Sequence, residues 1–340
     1  MRDVAQRAGV STAAVSYAYT QPTRLTAETL ERIRSSAREL GYVRDWSARA
    51  LRRGKTDTVG LVLPQSVDDA FQNAYYPRFV QGVGRVCREN RLMLLLVPPA
   101  DALGGNSIAE AAADGFIVVG LVAERDEVAS LRARQAPIVL VDSEPVAGIP
   151  LVAVDERAAM TELAGRLLRL GHRRFGIAGI ETGEAAGHSA WQGPMRHRWD
   201  GVLDAVAHAG LPDGAVTLEV VEVGSSIAGG TEAFTRLWAN PQRPTAIIAF
   251  SDEIALGIMS AARSAGVALP QDLSVTGFDD LDAASHATPA LTTVRQPIVE
   301  KGSLAAQQLV NLMAGDSPPE LTVLHASVVE RDSVAAPSRN

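Results

Sequence analysis

The residues best suited to catalysis or metal binding are few and poorly spaced in this 340-residue chain. Its six histidines (His172, His188, His197, His208, His286 and His325) show no metal-ligand spacing and are expected at the surface. The one cysteine, Cys87, lies in an apolar helical stretch and reads as a small buried hydrophobe rather than a nucleophile. Being alone, it also excludes an internal disulfide framework. The adjacent Asp279 and Asp280 do not make an acid–base pair, because neighbours on an extended chain point apart. Phosphate-loop, dinucleotide-binding, nucleophile-elbow and zinc-protease patterns are absent. The sequence therefore predicts no enzyme, no metal and no cofactor.

Charge is what the chain distributes unevenly. Its net charge is −7, but residues 1–56 hold eleven basic and five acidic residues, a net +6, which leaves −13 for the remainder. A basic module attached to an acidic body suits a polyanionic partner that the body itself would repel. No apolar run reaches the roughly 20 residues that cross a bilayer, and the first residues read as helix rather than secretion signal. A cytoplasmic protein with no membrane partner is expected.

The basic segment patterns as three short helices. Asp3–Ala8 is stopped by Gly9, with Val10 as a buried plug and Ser11 as the cap of a second helix, Thr12–Tyr19. Thr26 caps a third, Ala27–Leu40, whose stripe of Leu30, Ile33, Ala37 and Leu40 faces inward before Gly41 ends it. Two helices around a tight glycine turn, closed by a third, form a helix-turn-helix. The second helix places its N-terminal side chains in the major groove of double-stranded DNA. Ser11, Thr12, Ala13, Ser16 and Tyr17 are the candidate contacts there, with Arg24 in the following link.

From Thr58 the pattern becomes short apolar runs alternating with helix-length stretches. The runs are Val59–Leu63, Met93–Val97, Phe116–Val119, Ile138–Val141, Phe175–Ala178, Ala246–Phe250 and Ser274–Phe278. The helical stretches include Pro77–Asn90, Glu156–Leu170, Trp199–Ala209, Gly230–Trp238, Glu253–Ala265 and Val299–Met313. Such alternation predicts an α/β body with parallel sheets. Several runs end on polar residues (Asp142, Ser251-Asp252, Asp279), and ligands bind at the carboxyl ends of parallel strands. Two similar halves, before about Gly148 and after about Glu156, imply two lobes with a cleft between them.

The residues also carry a resemblance. Asp3-Val4-Ala5-Gln6-Arg7-Ala8-Gly9-Val10-Ser11, Ala14-Val15-Ser16 and Leu40-Gly41-Tyr42 resemble the head of the LacI/GalR family of bacterial repressors. Ala48-Arg49-Ala50-Leu51-Arg52 resembles its hinge helix. In the body the matching segments are Val154-Asp155, Gly171-His172-Arg173-Arg174, Arg198-x-x-Gly201, Ser251-Asp252-x-x-Ala255-Leu256-Gly257, Gly277-Phe278-Asp279-Asp280 and Pro289-x-Leu291-Thr292-Thr293-Val294-Arg295-Gln296-Pro297. The resemblance spans nearly the whole chain. It implies a head at 1–43, a hinge at 44–57 and, at 58–340, a two-lobed effector domain of periplasmic-binding-protein type that also dimerises.

The resemblance further implies a homodimer on a pseudo-palindromic operator, with Ala48, Leu51 and Arg52 at the minor groove and Leu51 wedging a base step. Arg198, Ser251 and Asp279 are implied to line a small-molecule effector pocket, and Asp142 is a further candidate. Each of the first three has a structural alternative: Arg198 pairing with a neighbouring acid, Ser251 capping the helix at Asp252, Asp279 capping a loop. Some positions depart from the family. Arg44-Asp45 replaces the usual Pro-Asn before the hinge, and Tyr17 stands where a base-reading arginine is frequent. Ser225 falls near the family's ligand-stacking aromatic, while His188 and Trp191 read as surface loop. A transport-associated binding protein would share the body, but the DNA-binding head argues against it.

Overall fold

The computed structural model describes residues 1–42, 54–98, 107–120, 135–181 and 187–338, and the chain divides into two units, Met1–Thr56 and Asp57–Asn340. The first unit holds α1 (Arg2–Ala8), α2 (Thr12–Thr20) and α3 (Ala27–Glu39). Their apolar sides meet in a small core of Val4, Ala5, Ala8, Val15, Ala18, Ile33 and Ala37. Gly9 adopts a left-handed φ of 62°, open to glycine without steric cost. The turn lets Gly9 N–H reach Gln6 O and Val10 N–H reach Ala5 O, so two end carbonyls of α1 are satisfied. Ser11 Oγ accepts from Ala14 N–H at 3.1 Å and Thr26 Oγ1 from Thr29 N–H at 3.2 Å, which caps α2 and α3.

One expectation fails here. Leu40 is not the last rung of the α3 stripe; the helix stops at Glu39 and Leu40 is 43% exposed. The left-handed turn at Gly41 sends the chain back so that Tyr42 N–H bonds Ala37 O at 2.8 Å. Tyr42 then packs on the core in place of Leu40.

The second unit contains two parallel sheets. The first comprises β1 (Thr58–Val62), β2 (Met93–Val97), β3 (Gly115–Val119), β4 (Ile138–Val141) and β5 (Leu151–Val154). With them stand α4 (Val67–Gln72), α5 (Tyr75–Glu89) and the short α6 (Ser107–Glu110). After α7 (Glu156–Leu170), the second sheet runs through β6 (Arg174–Ile180), β7 (Thr217–Val223), β8 (Ala246–Ala249) and β9 (Ser274–Thr276) in the order β7-β6-β8-β9. Its helices are α8 (Gly193–His208), α9 (Ile227–Trp238), α10 (Asp252–Ser264) and α11 (Asp282–His286). The chain then forms β10 (Thr293–Arg295), α12 (Ile298–Ala314), β11 (Leu321–Leu324) and β12 (Ser327–Val329).

The lobes are therefore not successive halves of the sequence. β11 adds to the first sheet beside β5, giving the order β11-β5-β4-β3-β1-β2, and β12 pairs antiparallel with β10. Ile298, Ala305, Ala306 and Leu309 of α12 bury themselves among the first lobe's apolar residues. The crossing of α12 and α5 is set by glycine. A Cβ on Gly82 would stand 2.1 Å from Val299 O, and one on Gly302 would stand 2.3 Å from Phe79 O. This close approach brings the beginnings of both helices to the same end of the first sheet.

Two further differences have simple causes. β7 and β11 are only partly buried, and Glu219 and Glu222 in β7 and Thr322 in β11 interrupt the continuous apolar runs by which other strands read. α8 begins at Gly193, with Pro194 in its first turn, where proline's missing N–H has no helical partner to lose. Arg198 thus sits inside α8 instead of before it. Among the described residues no helix is long and apolar enough to cross a membrane.

Candidate functional site

In the N-terminal unit, α2 presents the residues expected to meet DNA. Thr12, Ala13 and Tyr17 are exposed and Ser16 is half-buried, while Val15 and Ala18 turn inward. The Arg24 guanidinium lies over the Tyr17 ring, 5.3 Å from its centroid, so the two candidates form one cationic, aromatic surface. Ala48, Leu51 and Arg52 lie outside the described residues.

In the second unit the polar candidates converge where strands and helices of the two lobes end. Asp142 follows β4 with a φ of 48°. Its Oδ2 accepts from Tyr75 Oη at 2.8 Å and from Lys301 Nζ. Lys301, 0% exposed in α12, also donates to Gln296 Oε1 at 2.7 Å. Gln296 Nε2 then donates to Asp279 Oδ1 at 2.5 Å. A continuous chain of hydrogen bonds thus runs from Tyr75 on the first lobe to Asp279 on the second.

Asp279 occupies a positive-φ position (126°) at the end of the β9 segment and is buried. Burial pushes its carboxyl up to about 8; Arg198 opposes that rise and Asp252 reinforces it. Asp252, wholly buried at the start of α10, is pushed up to about 6 by burial, although it accepts from Thr293 Oγ1 at 2.5 Å and Leu281 N–H at 2.7 Å. Asp280 behaves oppositely. Burial raises it, but hydrogen bonds from Arg295 and Arg331, each 2.6 Å, outweigh that and hold it low.

Arg198 is buried, and its alternative role is real: Nη2 donates to Glu156 Oε1 at 2.9 Å. Nη1 donates to Phe250 O, and the guanidinium stacks 3.8 Å from the Phe278 ring centroid. Burial works against its charge, but Glu156, then Asp279 and Asp142, hold its pKa high. The Tyr76 hydroxyl is raised by burial and by the charges of Asp142 and Asp279, with Arg198 opposing. Asp142, Arg198 and Asp279 therefore act on one small region. Ser251 caps α10, accepting from Ile254 N–H at 3.3 Å, and also accepts from Ser225 Oγ at 3.3 Å.

The lobes touch directly around this cluster. Asn73 Nδ2 donates to Ser225 Oγ at 3.0 Å, Arg78 Nη1 to Asp280 O at 3.0 Å, and Gly193 N–H to Glu144 Oε1 at 2.6 Å. Sequence reading missed Tyr75, Tyr76, Glu156, Gln296 and Lys301. Two left a signal: Gln296 lies within the quoted segment Pro289–Pro297, and Lys301 is a lysine on the helical stripe shared with Ile298, Ala305 and Leu309.

Other expectations are corrected. Trp191 is 2% exposed and packs beside Phe250 with ring centroids 5.3 Å apart. It fills the space a side chain at Gly179 would need. His172 is buried between Thr245 Oγ1 (2.9 Å) and Ala335 O (2.8 Å), and burial lowers its pKa. Cys87, by contrast, is buried on α5, as its apolar helical stretch implies.

The chain matches two family profiles: bacterial regulatory proteins of the lacI family over residues 1–45, and the periplasmic binding protein-like domain over residues 164–334. An HTH-type transcriptional regulator of Mycolicibacterium smegmatis is 35% identical over 349 residues, covering 97% of this chain and 94% of that protein. The structure of the transcriptional regulator CelR–cellobiose complex superposes with a TM-score of 0.71 at 25% identity, covering 98% of each chain. The lac repressor dimer bound to operator and the anti-inducer ONPF gives a TM-score of 0.81 at 21% identity, again covering 98% of each chain, and shares the fold. With a helix-turn-helix head, a two-sheet body and these matches along nearly its full length, the chain belongs to the lacI family of DNA-binding transcriptional regulators.

Proposed function

We propose that this regulator is a cytoplasmic repressor, and not an enzyme, whose hold on a pseudo-palindromic operator is set by a small effector between its lobes. The effector is a sugar or a nucleoside- or purine-like metabolite. Arg198, Ser251, Asp279 and Asp142 are its contacts. The carrying observation is the buried, polar, lobe-spanning cluster in which Arg198, Asp279 and Asp142 meet Lys301, Gln296 and Glu156. The cellobiose complex of a similar regulator supports a sugar. The boundaries that suit this reading are a head at 1–43, a hinge at 44–57 and an effector domain at 58–340, working as a homodimer with two half-sites per dimer.

Physically, a ligand seated between lobes that already touch changes the balance among those contacts. The lobes then settle at a new angle and pass the change to the hinge. The coupling is reciprocal, so an effector that weakens operator binding is itself bound less tightly on operator. The test is thermal-shift screening of the full chain against sugars, nucleosides and purines, followed by gel shift on a selected operator with each hit. The reading requires at least one compound that raises the unfolding temperature and alters operator affinity. Hits that leave operator affinity untouched overturn it.

A further inference from the structure

Arg198 and Glu156 make only half of the contact available to them. A guanidinium and a carboxylate can form two parallel N–H···O bonds. Here one is made, Nη2 to Oε1 at 2.9 Å. Arg198 Nε and Glu156 Oε2 have no hydrogen-bond partner among the described residues, although the side chains are only 7% and 2% exposed. Buried polar atoms are seldom left this way in native interiors.

The unmatched atoms have opposite hydrogen-bonding character. Nε can only donate, and an ionised Oε2 can only accept. A hydroxyl group completes both, accepting from Nε–H and donating to Oε2. An ionised phosphate or carboxylate oxygen cannot, since it offers acceptance alone and would meet Oε2 as one anion facing another.

Charge in the cluster points the same way. Glu156 opens α7, a position where the helix dipole favours an anion, and it neutralises Arg198 from within. Lys301, the other buried cation, is matched by Asp142. Asp279 adds a third carboxyl to these two ion pairs. Neither of these two buried cations is left over to recruit an anionic ligand.

We infer that Glu156 sets the charge class of the effector, restricting the cleft to uncharged, hydroxyl-bearing molecules and shutting out phosphorylated or carboxylated ones. The inference rests on the cleft being the effector site. It makes Glu156 a specificity residue that acts both through Arg198 and by direct contact with the ligand's hydroxyl.

The test uses sulfate as an anion probe on the full-length protein. Thermal unfolding is followed against sodium sulfate, with sodium chloride at matched ionic strength as reference, for wild type, Glu156→Gln, and Glu156→Gln combined with Arg198→Ala. Wild type should show only the non-saturating rise with sulfate that its exclusion from protein surfaces produces. Glu156→Gln should gain a saturable, sulfate-specific rise, with sulfate bound at least about tenfold more tightly than by wild type, and the double variant should lose it. Equal sulfate affinity in wild type and Glu156→Gln overturns the inference. So does saturable sulfate binding by wild type that Arg198→Ala abolishes, a result that needs no Glu156 variant to fold. Glu156→Asn gives a second neutral replacement if the glutamine variant unfolds. Because sulfate is read without any effector, the outcome is separate from whether a bound compound moves operator affinity.

Discussion

Lys301 and Asp142 form a buried ion pair between α12, the helix that returns to the first lobe, and the end of β4. The same ammonium bonds Gln296 Oε1 at 2.7 Å and lies 5.1 Å from the centroid of the Tyr75 ring. One lysine thus fastens the segment that leads out of β10 to the wall of the cleft. The Asp142 carboxylate is shared with the Tyr75 hydroxyl.

Breaking this pair from one side should be costly. Lys301→Met leaves Asp142 as an uncompensated buried carboxylate, for a loss of about 3–5 kcal/mol in urea unfolding. Adding Asp142→Asn should recover part of the loss, so the double variant lies well short of the sum of the singles. Additive losses would mean that the two side chains do not act on one another.

Asp279 gives the protein a pH signature. Its carboxyl titrates at about 8 when folded and at about 3.9 in an unfolded chain. Between those values the folded state keeps a proton that the unfolded state has released. Stability should therefore fall as pH rises from about 4 to about 8, then level off with respect to this group. Asp252, raised to about 6, steepens the lower part of that fall. Asp279→Asn should flatten the profile of urea midpoints in this window; profiles that run parallel would rule out Asp279 as its source.

Arg198 should matter to stability as well as to sensing. Arg198→Ala strands Glu156, which is 2% exposed, and a buried pair broken from one side typically costs about 3–5 kcal/mol. Arg198→Met combined with Glu156→Gln, which keeps the volume and removes both charges, should unfold at higher urea than Arg198→Ala. Equal midpoints for Arg198→Ala and wild type would show that the pair contributes nothing to folding.

The head permits a separation of roles. On an operator selected from random DNA, Arg24→Ala should weaken binding evenly across operator variants and make the salt dependence shallower by about one unit of slope. Tyr17→Ala should instead relax preference at particular base pairs, each by about 1–3 kcal/mol. A reversal of these patterns would assign the base contact to Arg24. Because the two side chains stack, some loss common to both variants is expected.

Features that depend only on neighbours along the chain are legible in its residues. The glycine stop at Gly9, the caps Ser11 and Thr26, the stripe of α3 up to Ala37 and the strands β1–β4, β6, β8 and β9 follow from local spacing, since helix and strand periods are local properties. The positive charge of residues 1–56 needed no coordinates either. Other features arise only when distant segments pack. Strands β7 and β11 are partly buried and carry polar residues within them (Glu219, Glu222, Thr322), so no continuous apolar run marks them. The return of α12 and β11 to the first lobe depends on which sheet edge stands free, a matter of topology. Arg198 and Glu156 are 42 positions apart, and Lys301 and Asp142 are 159 apart. Nothing along the chain pairs them. Glu156 reads as an ordinary first-turn acid until folding removes it from water beside a guanidinium, where its charge gains a partner and a consequence.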